Sequence, residues 1–176
     1  MKVLLSPTQL QDGIQQMADQ ISQHYQGRAI TVVGILTGSL MLLADLIRML
    51  DQPIRISLVE ASSYRGTTTR GELTINPDLL SDIEGRDILL IDDIFDTGYT
   101  LQKVIRMIED LQPNSVRSAV LLLKEGRQEV ELRPDFVGFQ IPDQFVVGYG
   151  LDYQDLFRNL PYVATLEPED LSGEAE

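Results

Sequence analysis

In ILLIDDIFDTGYTL, residues 88–101, four aliphatic residues run directly into three aspartates. Asp92, Asp93 and Asp96 repel one another at that spacing, so holding them together points to a ligand that needs negative charge beside it. The Asp-Thr-Gly-x-Thr segment, Asp96 to Thr100, passes through a tight turn at Gly98 into the start of a helix. Backbone N–H groups of that turn, with the hydroxyls of Thr97 and Thr100, form a phosphate cradle by geometry and by helix dipole. It is not a Walker loop, which spaces its glycines further apart and carries a lysine before its Ser/Thr. Carboxylates flanking a phosphate suit a ligand with hydroxyls near that phosphate, such as a ribose 5-phosphate. They accept hydrogen bonds from vicinal hydroxyls and hold Mg²⁺ through water. The competing reading is a solvated acidic loop that only caps the helix.

The elements around this stretch alternate. Ser6 and Pro7 read as an N-cap and first helical residue, and Leu10, Ile14, Met17 and Ile21 carry a helix to about Tyr25, with Gly27 as its stop. Residues 29–36 are a continuous apolar run, as a strand covered on both faces requires. Thr37, Gly38 and Ser39 make a tight turn, residues 40–50 a helix, and residues 54–60 a second strand. The polar stretch ASSYRGTTTRGE, residues 61–72, has too little apolar surface to bury itself and reads as a flexible loop. A third strand covers residues 88–91, so Asp92 and Asp93 are expected just beyond its end. A helix over 101–111 and strands over 116–123 and 136–140 complete the pattern. This is an α/β chain, a parallel central sheet flanked by helices on both faces, with right-handed crossovers and ligands at the carboxyl ends of the strands.

At 176 residues, with 43% hydrophobic and 23% charged, the chain is expected to form one soluble globular domain over residues 1–176. The absence of cysteine excludes a disulfide framework, a thiol nucleophile and a thiolate metal site. The single histidine, His24, follows the helical pattern near a helix end, which argues against histidine chemistry. The formal net charge of −13 argues against a nucleic-acid or anionic-membrane surface. MKVLLSPTQL has too short an apolar run for a signal peptide or span, so the expected location is cytoplasmic. The acidic tail, residues 167–176, reads as solvated and frayed.

Residues 88–101 resemble the phosphoribosyl-diphosphate (PRPP) motif of type I phosphoribosyltransferases. Over nearly its whole length the chain is similar to the hypoxanthine/guanine branch of that family. DFVGFQIPDQFVVGYGLDY, residues 135–153, carries the narrower likeness, as does Ser62-Ser63-Tyr64 at the head of the polar loop. The resemblance implies a small hood over about 124–166 with the N-terminal segment, and a mobile lid over about 61–74 in which Ser63 and Tyr64 make the closing contact. It places Asp92 and Asp93 on the ribose hydroxyls or on Mg²⁺. Asp96, Thr97, Gly98, Tyr99 and Thr100 hold the 5-phosphate, and Asp96 doubles as the base near purine N7. Lys124 donates to the purine O6, Phe145 stacks on the base and Val146 offers its main chain. Asp152 faces a metal-bound water, pyrophosphate or the 2-amino side of guanine, and Arg158 contacts pyrophosphate.

Two positions depart from the family pattern. Thr37 stands where a Lys or Arg is expected in the pyrophosphate turn Thr37-Gly38-Ser39, whose first peptide, Leu36–Thr37, is often cis in the family. Gln144 stands where lysine or glutamate is common. The implied activity is Mg²⁺-dependent transfer of 5-phosphoribose from PRPP to hypoxanthine or guanine, giving IMP or GMP and pyrophosphate. Oxocarbenium character develops on the ribose above the acidic cluster. A homodimer or homotetramer is implied, with residues 36–50 near an interface. The alternatives are a transferase preferring xanthine or another base, and a PRPP- or nucleotide-sensing regulator with weak chemistry.

Overall fold

The computed structural model describes residues 1–60, 82–167 and 170. The lid segment with Ser63 and Tyr64, and most of the acidic tail, lie outside those residues.

Strand β1 (Lys2–Leu5) leads into helix α1 (Pro7–Tyr25) through Ser6. Ser6 Oγ accepts from the Gln9 amide at 3.3 Å while the Ser6 amide donates to Gln9 Oε1 at 2.9 Å. This reciprocal capping box satisfies two helix-end donors at once. The helix ends at Tyr25, as its spacing predicts, and closes with Gln26 and then Gly27 at positive φ. After β2 (Ile30–Leu36), helix α2 (Leu40–Leu46) tightens into a 3₁₀ turn over Ile47–Met49 rather than running on to residue 50. Then come β3 (Ile54–Glu60), β4 (Asp87–Phe95), α3 (Tyr99–Glu109), β5 (Ser115–Lys124) and β6 (Phe136–Ile141).

These five strands form one parallel sheet in the order β3-β2-β4-β5-β6. Helices α1 and α2 cover one face, with Leu10, Ile14, Met17, Leu42 and Leu46 packed on Val32, Leu89, Ile91 and Leu121. Helix α3 covers the other, with Leu101, Val104 and Ile108 on Val33, Ile35, Ile88 and Leu90. Burial on both faces is why these strands read as apolar runs instead of alternating. The chain winds outward from β2 to β3, then outward the other way from β4 through β5 to β6. The crevice between the carboxyl ends of β2 and β4 is therefore the topological switch point, where such sheets bind ligands.

The short β7 (Val146–Val147) and β8 (Val163–Thr165) join β1 in a small antiparallel sheet, order β1-β8-β7. Residues 2–5, 146–147 and 163–165 carry no strand signal in the sequence. Such short strands give no clear period of two, and only the distant pairings Val3 with Ala164 and Val147 with Ala164 define them.

Candidate active site

The acid pair hangs from a strand, not from the loop after one. The apolar run predicts a strand ending at residue 91; β4 runs on to Phe95, with Asp92 opposite Val120 and Ile94 opposite Leu122 in the ladder to β5. Ladder hydrogen bonds held by the ten-residue β5 outweigh the low strand propensity of aspartate. Asp92 is buried and its carboxylate accepts from the Asp93 amide at 3.1 Å. Burial pushes the Asp92 carboxyl well above the usual carboxylate range, and the neighbouring charge of Asp93 adds to that. Asp93 is raised too, chiefly by burial, with Asp92, backbone amides and Arg158 pulling the other way.

Opposite stands the turn after β2. The Leu36–Thr37 peptide is cis, as the resemblance implied. The Asp93 carboxylate packs directly on the Gly38 Cα, leaving no room for a side chain there, and the Gly38 carbonyl packs likewise on Gly150 at φ 101°. Gly150 is held in turn by Arg158, whose Nη1 donates to its carbonyl at 2.8 Å. Arg158 Nη2 pairs with Asp152 at 2.8 Å and Asp155 at 3.3 Å. Thr37, Gly38, Asp92, Asp93, Asp96, Asp152 and Arg158 thus line one cleft of about 310 Å³, with Thr97, Gly98 and Thr100 along its floor. Among the described residues lining it, Arg158 is the sole cation. Ser39 is buried behind the turn, its Oγ donating to the Ile35 carbonyl at 2.6 Å. It can serve an anion only through its backbone.

Gly98 has φ 89° and opens α3 with no side-chain cap and no acid in the first turn. Thr97, Gly98 and Thr100 line the cleft at this helix start, so the positive end of the helix dipole lies toward it. A phosphate fits there.

At the mouth of the cleft, Asp96 meets the end of β5. Lys124 is only 8% exposed, and its Nζ donates to Asp96 Oδ2 at 3.3 Å and lies 3.8 Å from Asp143 Oδ1. Phe145 is 55% exposed, its ring edge-to-face with Tyr153 at 5.7 Å. A large apolar ring left in solvent is open to a flat partner, which a core reading of Phe145 does not accommodate. Val146 is buried in β7, paired with Thr165. Phe145 faces a separate cavity of about 440 Å³ with Gln144 and residues of β1, so Lys124, Phe145 and Val146 stand beside the cleft rather than in it.

Two charged residues not marked by any sequence motif complete the mouth of the cleft. Arg127 Nε donates to Asp96 Oδ1 at 2.9 Å, and its Nη1 lies 3.6 Å from Asp143 Oδ2. Arg127 follows Lys124 by three residues and Asp143 precedes Phe145 by two, so proximity to named residues was the available signal. Their pairing across the fold was not.

Residues 5–154 match the family of the phosphoribosyl transferase domain. The hypoxanthine-guanine phosphoribosyltransferase of Staphylococcus aureus is 43% identical over 173 residues, 98% of this chain and 97% of that protein. A crystal structure of a hypoxanthine phosphoribosyltransferase from Staphylococcus aureus superposes with TM-score 0.90 at 42% identity, covering 98% of this chain and 95% of that one. The crystal structure of a hypoxanthine-guanine phosphoribosyltransferase from Bacillus anthracis, with a HEPES molecule in its active site, gives TM-score 0.89 at 36% identity over 95% and 99% of the two chains.

Proposed function

The chain belongs to the phosphoribosyl transferase domain family, and on that premise we propose that it transfers 5-phosphoribose from PRPP to hypoxanthine or guanine, giving IMP or GMP and pyrophosphate. One observation carries the reading. The glycine-led start of α3 and the adjacent carboxylates of Asp92 and Asp93 share a cleft at the switch point, with Lys124 beside Asp96 at its mouth. That is a phosphate site, a ribose site and a base site in a row.

The 5-phosphate sits on the amides of Gly98 to Thr100 and the hydroxyls of Thr97 and Thr100. Asp92 and Asp93 take the ribose hydroxyls below the ring. Pyrophosphate is met by the backbone of the turn Thr37 to Ser39 and by Arg158, which Asp152 orients. Purine N9 forms a bond to ribose C1 as the C1–oxygen bond breaks. The pyrophosphate oxygen leaves with that electron pair, and the proton on N7 passes to the Asp96 carboxylate. Positive charge on the ribose is greatest midway, where the acid pair stabilises it. Lys124 donates to O6, which favours 6-oxopurines over adenine, whose 6-amino group is itself a donor. Phe145 supplies the stacking face.

The donor set fits Mg²⁺. Two adjacent carboxylates, Asp92 buried and Asp93 half-buried, each raised chiefly by desolvation, gain from a cation between them and a substrate. Among the described residues no cluster of three or more acids forms a cage, and Mg²⁺ uses one or two carboxylates with substrate oxygens rather than a protein cage. Asp92 and Asp93 would hold it, with Asp152 reaching it through water. The ion would neutralise pyrophosphate as it leaves. The family resemblance supports a homodimer or homotetramer through residues 36–50. Among the described residues no helix is long and apolar enough to cross a membrane.

Turnover of hypoxanthine, guanine, xanthine and adenine with PRPP and Mg²⁺ tests the reading. Nucleotide formation from hypoxanthine and guanine is expected, with adenine slower by about a hundredfold or more. A preference for adenine, or PRPP binding with no nucleotide formed, would overturn it.

A further inference from the structure

Arg127 has no part in the reaction as written above, and Asp143 has none either. Both belong to a closed ring of charges at the mouth of the cleft. Each oxygen of Asp96 is taken by a different cation: Oδ2 by Lys124 at 3.3 Å, Oδ1 by Arg127 at 2.9 Å. Asp143 stands behind both, 3.8 Å from Lys124 Nζ and 3.6 Å from Arg127 Nη1. Two acids and two bases cancel, with Asp92 and Asp93 upstream on the Asp96 segment and Glu129 close to Arg127.

The turn that presents Arg127 is fastened to the segment it serves. Gly126 at φ 74° reverses the chain after β5. The Glu129 amide then donates to the Thr97 carbonyl at 3.0 Å, and the Gln128 side-chain amide donates to the Lys124 carbonyl. Arg127 therefore projects from a loop bonded to the residue next to Asp96. Its guanidinium donates to Asp96 through Nε and faces Asp143 as an ion pair through Nη1, two ends of a planar group that a lysine ammonium cannot reproduce.

The two cations have different futures once a purine arrives. Lys124 must turn its Nζ toward O6, which releases Asp96 Oδ2, the oxygen then available for the N7 proton. Arg127 has no group on the base to go to and keeps Oδ1. We infer that Arg127, anchored by Asp143, is the positioning residue that fixes the Asp96 carboxylate while Lys124 is exchanged from Asp96 to the purine. This deepens the reading of Asp96 as the base and rests on it. Without Arg127 the carboxylate follows Lys124 or rotates, and the free oxygen no longer meets the proton.

The test compares wild type, Arg127→Met, Arg127→Lys, Asp143→Asn and Asp96→Asn. It measures kcat and KM for hypoxanthine at saturating Mg²⁺·PRPP, and IMP affinity by calorimetry. Arg127→Met is expected to lower kcat by about ten- to a hundredfold, the scale of a misplaced acid–base group. Its hypoxanthine KM and IMP Kd should stay within about threefold of wild type. Arg127→Lys and Asp143→Asn should fall between wild type and Arg127→Met, and Asp96→Asn should lose most. If Arg127→Met turns over within about twofold of wild type, the inference is overturned. A loss of IMP affinity equal to the loss of kcat would also overturn it, because a collapsed pocket weakens both. Wild type forming no IMP would defeat the phosphoribosyltransferase reading itself, which separates that failure from failure of the Arg127 role alone.

Discussion

Asp92 is buried beside a second carboxylate, and burial together with that neighbour raises its carboxyl well above the usual range. In the unfolded chain an aspartate ionises near pH ~4. As pH climbs from there toward the raised folded value, the unfolded state releases a proton that the folded state keeps, so stability falls over that window. Asp92→Asn removes this penalty. The variant's melting temperature should exceed wild type by roughly 2–4 °C near pH ~7, the shift of about 1 kcal/mol in a chain of this size. The gap should close as pH falls toward ~4, and calorimetry across that range checks it. The same variant should lose much of its affinity for Mg²⁺·PRPP, so stability and function trade against each other at one side chain. At this scale the sequence was informative about residue type: a carboxylate trio and a Thr-Gly-x-Thr turn name their own chemistry. Which carboxylate pairs with which cation was not legible, because Asp96 meets Arg127 across a gap of 31 residues.

Among the elements, the turn between β2 and α2 is fixed by close packing of its backbone. Thr37 brings no cation, yet the turn is pressed between Asp93 and Gly150 so closely that Gly38 has no space for a Cβ. Gly38→Ala must push the Asp93 carboxylate aside and part the turn from Gly150. PRPP KM should rise by about tenfold or more, with a smaller change in hypoxanthine KM, as initial rates with each substrate varied would reveal. An unchanged PRPP KM would mean that the turn does not meet the pyrophosphate end. Strand β4 carries the complementary lesson. Its apolar stretch was plain from the residues, but its continuation through Asp92 and Asp93 follows from pairing with β5, since isolated aspartates disfavour strands. The start of α3 was legible because Gly98 and the apolar spacing of Leu101, Val104 and Ile108 are local signals.

Across the whole molecule, two phenols, Tyr25 buried and Tyr149 half-buried, tie separate layers together. Tyr25 closes α1 on β4 by donating to the Ile88 carbonyl at 3.2 Å. Tyr149 donates to Asp45 and so joins the segment before Asp152 to α2, the helix that follows the pyrophosphate turn. Burial pushes both hydroxyls above the ordinary tyrosine range, and the hydrogen bond to Asp45 raises Tyr149 further. Unfolded tyrosine ionises near pH ~10. Stability should be intact below that pH and fall above it, as the unfolded chain loses protons that the fold retains. Tyr149→Phe should unfold about 1 kcal/mol more easily at neutral pH, where Asp45 loses its bond from the phenol. It should also show a shallower decline above pH ~10, and urea titrations on both sides of that pH would show both effects.

The sequence by itself determined the alternating α/β order, the place of the phosphate turn and the chemical character of the acid cluster. Each of these is written in neighbouring residues: helical spacing, apolar runs, and a glycine where φ must be positive. Only the tertiary structure decided that Asp92 and Asp93 belong to a strand, that Arg158 supplies a cation to a cleft whose turn has none, and that Arg127 and Asp143 surround Asp96. Those are facts about distance between residues remote in the chain. Charge pairing and ladder hydrogen bonds act through space, so residues far apart in sequence decide them, and local pattern carries no trace of their approach.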